Sequence, residues 1–555
     1  MNKKFSSFPI LFALLALLIG TCAVVFPASA QATPTSTGSI TVSGTVASSY
    51  DAYQIFSANV VDGDSDAKIA TDLAWVNDAA RDAALPVLHS AGMPKSQTTA
   101  QEAAEWLNAD SHLTSALSAQ LARSLQSSGA VSKALNAGTA AELPCGYWLI
   151  VADDDAIAQN EAGTAPIMAL VGGGAVTVKP KAATPKVAKH VLEDSTDAWQ
   201  KAADATVADD LYWRLSATVP AGLTAYDTYT VRFVDTMGAG LDPSKVAASM
   251  RVYAAAGADG GFDAVPAGKD GRAGTEPAKG WTDITSQCAT KVAADGTFTV
   301  RTGDLIAALG GADAFTAGAR VIAVYNAPLN SACNHGIAKG NPNEVYLRYP
   351  RSPFADQSGD AGFTRTPSDD ACAYTWDLAL TKRGSDGDKP LAGAVLSIAD
   401  DRGRTLAADG AWDAEGKATV TTGDDGRVTV SGVDSGKLEV REIKAPKGYT
   451  AFEGTRSVTV KAEGLDVDQV AAAKPKLTIT AESPLRADSA DGSTGSLEAS
   501  LINTPTGTPP SITTGGFMPS TGDMAMYAAA AAAVAGAALI VVALLVKRGG
   551  GSHKE

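Results

Sequence analysis

Apolar and polar residues alternate along much of the chain, and the alternation predicts strands. The segment starting at Ser39 (Ser-Ile-Thr-Val-Ser-Gly-Thr-Val) and the segment Tyr50–Val60 open a first β-region, which resumes at Tyr147–Val151, Ile167–Val171 and Ala175–Val178. Between these, Thr98–Leu135 changes period. Thr99 with Glu102 forms a capping box, and Ala103, Trp106, Leu107, Leu113, Leu117, Leu121 and Leu125 fall largely on one helical face, so they are expected in a core. A second β-region runs from Val187 to about Pro353, with strands around Val187–Val191, Leu211–Val219, Thr228–Val234, Val321–Tyr325 and Val345–Tyr349. Gly257–Gly280 is a Gly/Pro-rich insertion within it.

After the polar stretch Phe354–Asp370, a third region runs from Tyr374 to about Asn503, with alternating segments separated by Gly/Asp turns at Gly423–Gly426 and Asp434–Gly436. The pattern predicts a mainly β protein of tandem immunoglobulin-like β-sandwich domains in a rod, with an α+β N-terminal domain. Two prolines hold Lys179–Lys186 extended, which marks it as a linker. The expected division is a leader over 1–30, an N-terminal domain over 31–180, a middle domain over 181–370, a third domain over 371–504, a linker over 505–522 and a terminal segment over 523–555.

The two ends fix the compartment. Lys3 and Lys4, the apolar run Ile10–Ile19 and the exit Ala28-Ser29-Ala30 form a secretory signal cleaved after Ala30. Met526–Val546 is an uninterrupted apolar run, long enough as a helix to rise about 30 Å and span a bilayer. Lys547 and Arg548 follow and hold that end inside, leaving the rest of the chain outside.

Composition narrows the chemistry. At 555 residues the chain is several domains, and 54 glycines suit turn-rich β-structure. A net charge of −15 sets the field against polyanions, so nucleic acid is not an expected partner. Five scattered histidines show no ligand spacing, and no metal or cofactor is expected. Of five cysteines, Cys145, Cys288, Cys333 and Cys372 survive signal cleavage. Outside the membrane a pair is plausible, and Cys333 with Cys372 is the pair favoured among three connectivities.

Met518-Pro519-Ser520-Thr521-Gly522, preceded by the Gly/Pro/Thr-rich stretch Thr504–Gly516 and followed by the span and basic tail, resembles the sortase cell-wall sorting signal of Gram-positive bacteria; Met518 departs from the leucine of that motif. The resemblance implies cleavage between Thr521 and Gly522. Val176, Val178, Pro180 and Lys181 match part of the pilin motif whose lysine receives the sortase-bound threonine of another subunit, while Gly172 and Lys179 replace its tryptophan and tyrosine. This implies Lys181 as the acceptor, with Lys179 and Lys186 as rivals.

In the third region, Asp377–Lys382, Pro390–Ala394, Leu438–Tyr449 and Ile502–Pro505 resemble the collagen-adhesin B-type domain of surface proteins. That family joins a strand lysine to an asparagine on the last strand, with a glutamate between them; the matching residues are Lys382, Asn503 and Glu442. Lys382 shares parity with Leu378 and Leu380, so its stem should enter the core, where desolvation favours the neutral amine. The middle region resembles the fimbrial isopeptide-forming domain, which implies Lys189 as nucleophile, Asp235 as catalyst and Asn343 as acceptor; Asn326 and Asn330 are rivals for the last role.

The whole resembles a sortase-assembled backbone pilin. It implies a secreted, wall-anchored structural subunit serving adhesion and no turnover enzyme, only one-time intramolecular bond formation. Implied partners are pilin-specific and housekeeping sortases, identical subunits, tip and base pilins, peptidoglycan and an unspecified host-surface ligand. The alternative is a wall-anchored monomeric adhesin or accessory pilin with Lys181 inert.

Overall fold

The computed structural model describes residues 36–63, 67–109, 111–163, 165–180, 184–258 and 277–507. The leader, Lys181, the sorting motif with Thr521 and Gly522, and the C-terminal apolar span lie outside these residues. Among the described residues no helix is long and apolar enough to cross a membrane. The described residues are mainly β, with six sheets in three successive pairs.

In the first pair, Gly146–Ala152 lies inside a five-stranded sheet between Ser49–Asp62 and Ile167–Val171. Its run Trp148-Leu149-Ile150-Val151 is apolar at every position because both faces are covered. Leu149 and Val151 meet the helices, while Trp148 and Ile150 meet Ile40 and Val42 of the small second sheet.

The helical part of this domain departs from expectation. The expected segment Thr98–Leu135 holds two helices, Ala100–Asn108 and Ser115–Ser128, and its end is the strand Ser132–Asn136, which pairs with Ser49–Asp62. The Thr99 and Glu102 capping box is present, Thr114 caps the second helix, and Gly129 ends it with φ of 72°. A further helix, Asp78–Ser90, precedes them; it buries Ala80, Ala83, Ala84 and Leu88, and its small residues and internal Pro86 gave little apolar periodicity to read.

In the middle domain a six-stranded sheet faces a seven-stranded one. The six-stranded sheet holds Lys186–Glu193, Tyr212–Val219 and Ala319–Asn326 side by side. The other holds Asp369–Tyr374, Asn341–Pro350, Arg232–Met237 and Thr297–Arg301. The strand expected at Thr228–Val234 lies further along, at Arg232–Met237, because Tyr229 N and Val231 N bond the Asp304 and Thr302 side chains instead of a ladder. Part of the stretch expected to be merely polar is strand: Phe363–Arg365 and the start of Asp369–Tyr374 both pair with Asn341–Pro350.

The last pair opens with Trp376–Gly384, which runs parallel to the final strand Ser496–Pro505; Lys382 pairs with Leu501 and Gly384 with Asn503. The facing sheet carries Gly436–Lys444 between Val395–Ala399 and Thr455–Glu463. The middle and last domains meet closely: Val207 N donates to Gly432 O (2.8 Å), and Arg404 binds Asp209 through two nitrogens (2.5 and 2.8 Å).

The expected Cys333–Cys372 disulfide is not formed, and both of these cysteines carry free thiols. The two side chains are engaged separately. Cys333 Sγ lies 3.7 Å from His335 Nε2 in a turn, and Cys372 Sγ donates to Ala373 O (3.7 Å) from a buried strand. Burial pushes both thiols upward, Cys372 to about 11, away from the reactive thiolate.

Candidate functional site

Strand parity delivers each predicted side chain to an interior. Leu378, Leu380 and Lys382 alternate inward on one strand, and Lys382 is 0% exposed. Asn503 comes from the adjacent parallel strand and Glu442 from the facing sheet, 2% and 6% exposed. The three converge. Asn503 Nδ2 donates to both Glu442 oxygens (2.8 and 3.0 Å), and Phe452 N donates to the same carboxyl (3.1 Å). Lys382 Nζ donates to Leu501 O (3.0 Å) and stands 3.9 Å from Glu442 Oε1. Asn503 Oδ1 is buried without a hydrogen-bond partner. Burial pulls the Lys382 amine down to about 8 against the opposing charge of Glu442. A carboxamide held by a carboxyl beside a deprotonatable amine is an arrangement suited to amide exchange.

The middle domain holds a second set, drawn from both sheets. Lys189 comes from the six-stranded sheet and Asp235 and Asn343 from the seven-stranded one, all fully buried. Lys189 Nζ forms a close ion pair with Asp235 Oδ2 and lies 5.5 and 5.4 Å from the ring centroids of Trp213 and Tyr325. Burial pulls Lys189 down, to about 8, and pushes Asp235 up, each against the attraction of the other. Both shifts favour the neutral amine with the neutral acid.

The rival asparagines are occupied elsewhere. Asn326 accepts from Leu211 N (3.1 Å) and donates to Asp210 (2.7 Å), and Asn330 donates to Ala239 O (2.9 Å) and Leu241 O (3.0 Å). Of the rival linker lysines, Lys179 and Lys186 are both exposed, the second at the start of a strand.

Two groups escaped the reading of the sequence. Tyr325 lies within hydrogen-bonding distance of all three members of the middle set. Lys201 forms a close ion pair with Asp369 and donates to Lys189 O (2.8 Å), while Lys189 N donates to Asp369 Oδ2 (2.6 Å), so this pair fixes the backbone that presents the nucleophile. Tyr325 shares inward parity with Val321 and Ala323, which marks it as core; nothing local tells that its hydroxyl meets a lysine 136 residues away. Among the described residues no group of His, Cys, Asp or Glu could hold a metal ion.

Residues 377–474 match the family model of the SpaA prealbumin-like fold domain, a span that includes Lys382 and Glu442 and ends before Asn503. The chain is similar to surface proteins and pilins of Gram-positive bacteria. Over 143 residues it is 29% identical to the trypsin-resistant surface T6 protein of Streptococcus pyogenes serotype M6, a match spanning 24% of this chain and 24% of that protein. Among solved structures, the T6 backbone pilin of serotype M6 Streptococcus pyogenes aligns over 85% of this chain and 98% of its own, at 16% identity and a TM-score of 0.43. The full-length major pilin SpaD of Corynebacterium diphtheriae aligns over 84% and 97%, at 15% identity and a TM-score of 0.42.

Proposed function

We propose that the chain is a structural subunit of a covalently polymerised surface pilus, stapled internally by Lys382–Asn503 and Lys189–Asn343 amide bonds. The observation that carries this reading is the pair of buried lysine, carboxyl and asparagine sets, each drawing its lysine from the opening strands of a domain and its asparagine from the closing ones. In each set the amine attacks the asparagine Cγ beside a buried carboxyl that assists the proton transfer. The C–N bond forms, the bond to Nδ2 breaks, and ammonia leaves. The acid is regenerated, but the lysine is consumed, so each domain reacts once.

Sortase would cleave after Thr521 and join its carbonyl to Lys181 of the next subunit, and the last subunit would be passed to peptidoglycan. The acyl–enzyme needs an unbonded amine, and the buried lysines do not compete because no second protein reaches them.

The intact mass of the secreted chain, residues 31–521, tests the staples. It is expected to fall short of the sequence mass by two molecules of ammonia, by one in Lys382→Ala or Lys189→Ala, and by none in the double variant. A full sequence mass in the unsubstituted chain overturns the reading.

A pH trend follows in Asn503→Ala, where Lys382 stays an unbonded amine. Its folded value near 8 lies below the ordinary 10.5, so between those limits the unfolded chain binds more protons. Stability of this variant should therefore rise with pH from about 8 to 10.5. The unsubstituted chain, with an amide there, should lack that component in matched denaturant titrations.

A further inference from the structure

The two sets differ in how the acid reaches the amide. Glu442 touches Asn503 directly, with both oxygens within 3.0 Å of Nδ2. Asp235 is one methylene shorter, and the hydrogen bond of Asn343 goes to a different group: Asn343 Nδ2 donates to Tyr325 Oη (2.8 Å). The same oxygen accepts from Lys189 Nζ (2.9 Å), and its own proton is given to Asp235 Oδ2 (3.1 Å). One donor and two acceptor sites are thus all in use. The Oδ1 atoms of Asp235 and Asn343 are both buried without a partner.

Among the described residues, Tyr325 is therefore the one group hydrogen-bonded to both the nitrogen that must lose a proton and the nitrogen that must gain one. We propose that Tyr325 is a catalytic residue of the middle domain, relaying a proton from Lys189 Nζ to Asn343 Nδ2 as the amide exchanges. The inference rests on the reading of Lys189 and Asn343 as a bond-forming pair.

The step balances within the site. Nζ attacks Cγ and becomes an ammonium-like nitrogen, and the departing Nδ2, now tetrahedral, exposes a lone pair. Tyr325 Oη takes a proton from Nζ as it passes its own to Nδ2. The Cγ–Nδ2 bond breaks, ammonia leaves, and Tyr325 and Asp235 end in their starting states. Burial holds the phenol pKa well above its ordinary value, so the hydroxyl keeps its proton at rest. Packing also fixes the ring, which meets Phe298 edge-on at 4.8 Å between centroids.

The test is Tyr325→Phe in the secreted chain, with bonds located by tandem mass spectrometry after a pulse of synthesis. Closure of Lys189–Asn343 should slow by about 100-fold or more, the usual worth of a positioned proton-transfer group. Lys382–Asn503 should close normally in the same molecules. Lys189→Ala serves as the unbonded reference, and the phenylalanine variant sampled before closure should match its trypsin resistance.

If the unsubstituted chain never loses ammonia at Lys189–Asn343, the staple reading itself fails. If that chain closes and Tyr325→Phe closes equally fast, the relay is overturned while the staple stands. Should Tyr325→Phe misfold, fluorotyrosine at position 325 decides. A closure rate that follows the acidity of the phenol supports the relay, and an unchanged rate overturns it.

Discussion

Replacing Lys181 by alanine is expected to abolish the ladder of very large, detergent-resistant species on the cell surface and leave wall-linked monomer. The effect is all or none because polymer growth needs a nucleophile at every junction, whereas wall attachment needs only the threonine acyl group. Thr521→Ala should remove both. Double substitution of Lys179 and Lys186 should leave the ladder intact, because Pro180 and the paired valines Val176 and Val178 align the motif on Lys181. If the ladder survives Lys181→Ala and disappears in the other variant, the acceptor is one of the neighbours.

Removing an internal staple should weaken the subunit sharply under both heat and load. Closing a loop of more than a hundred residues removes about 5 kcal/mol of unfolded-chain entropy by the loop-closure relation. For domains of this size that loss corresponds to a fall of roughly 10–20 °C in melting temperature. Lys382→Ala should show it in the last domain and Lys189→Ala in the middle one.

Under tension the contrast is larger. Load entering along Trp376–Gly384 crosses from Lys382 to Asn503, so the residues between them carry none. In single-molecule pulling, Lys382→Ala should add an unfolding step of roughly 400 Å and Lys189→Ala one of roughly 500 Å, at ~3.4 Å per released residue. The unsubstituted chain should show neither step.

Its extension should come from the N-terminal domain and from the segment between Asn343 and Lys382, which lies outside both loops. That segment holds the hairpin of Asn341–Pro350 with Asp369–Tyr374, pinned to the nucleophile strand by Asp369. Steps of 400 or 500 Å in the unsubstituted chain would show the domains to be unstapled.

Much of this arrangement was legible because strands carry their information locally. A period of two told that Lys382 follows Leu378 and Leu380 inward, that Asn343 shares a face with Val345 and Leu347, and that Lys189 shares one with Val191. The structure brings Lys382 to Asn503 and Lys189 to Asn343 in two buried clusters. What stayed hidden depends on distance along the chain or on weak periodicity. Tyr325 reads as one more core aromatic until Ala319–Asn326 is laid two strands from Lys186–Glu193. The Lys201–Asp369 pair joins residues 168 apart in the chain that meet only because Ala202–Asp204 pairs with Asp369–Tyr374 in one sheet. The helix Asp78–Ser90 is built on alanines, too small to make an apolar stripe stand out. The position of both near the end of the middle region suggested a disulfide between Cys333 and Cys372, but position along the chain does not reveal that one thiol faces His335 in a turn while the other lies in a strand.

Tandem mass spectrometry of fibres stripped from the cell wall tests the central claim most directly. The expected products are a branched peptide with the Thr521 carbonyl on Lys181 Nζ, together with Lys189–Asn343 and Lys382–Asn503 peptides each lacking one ammonia. Wall material with Lys181 unmodified and both asparagines intact would contradict it.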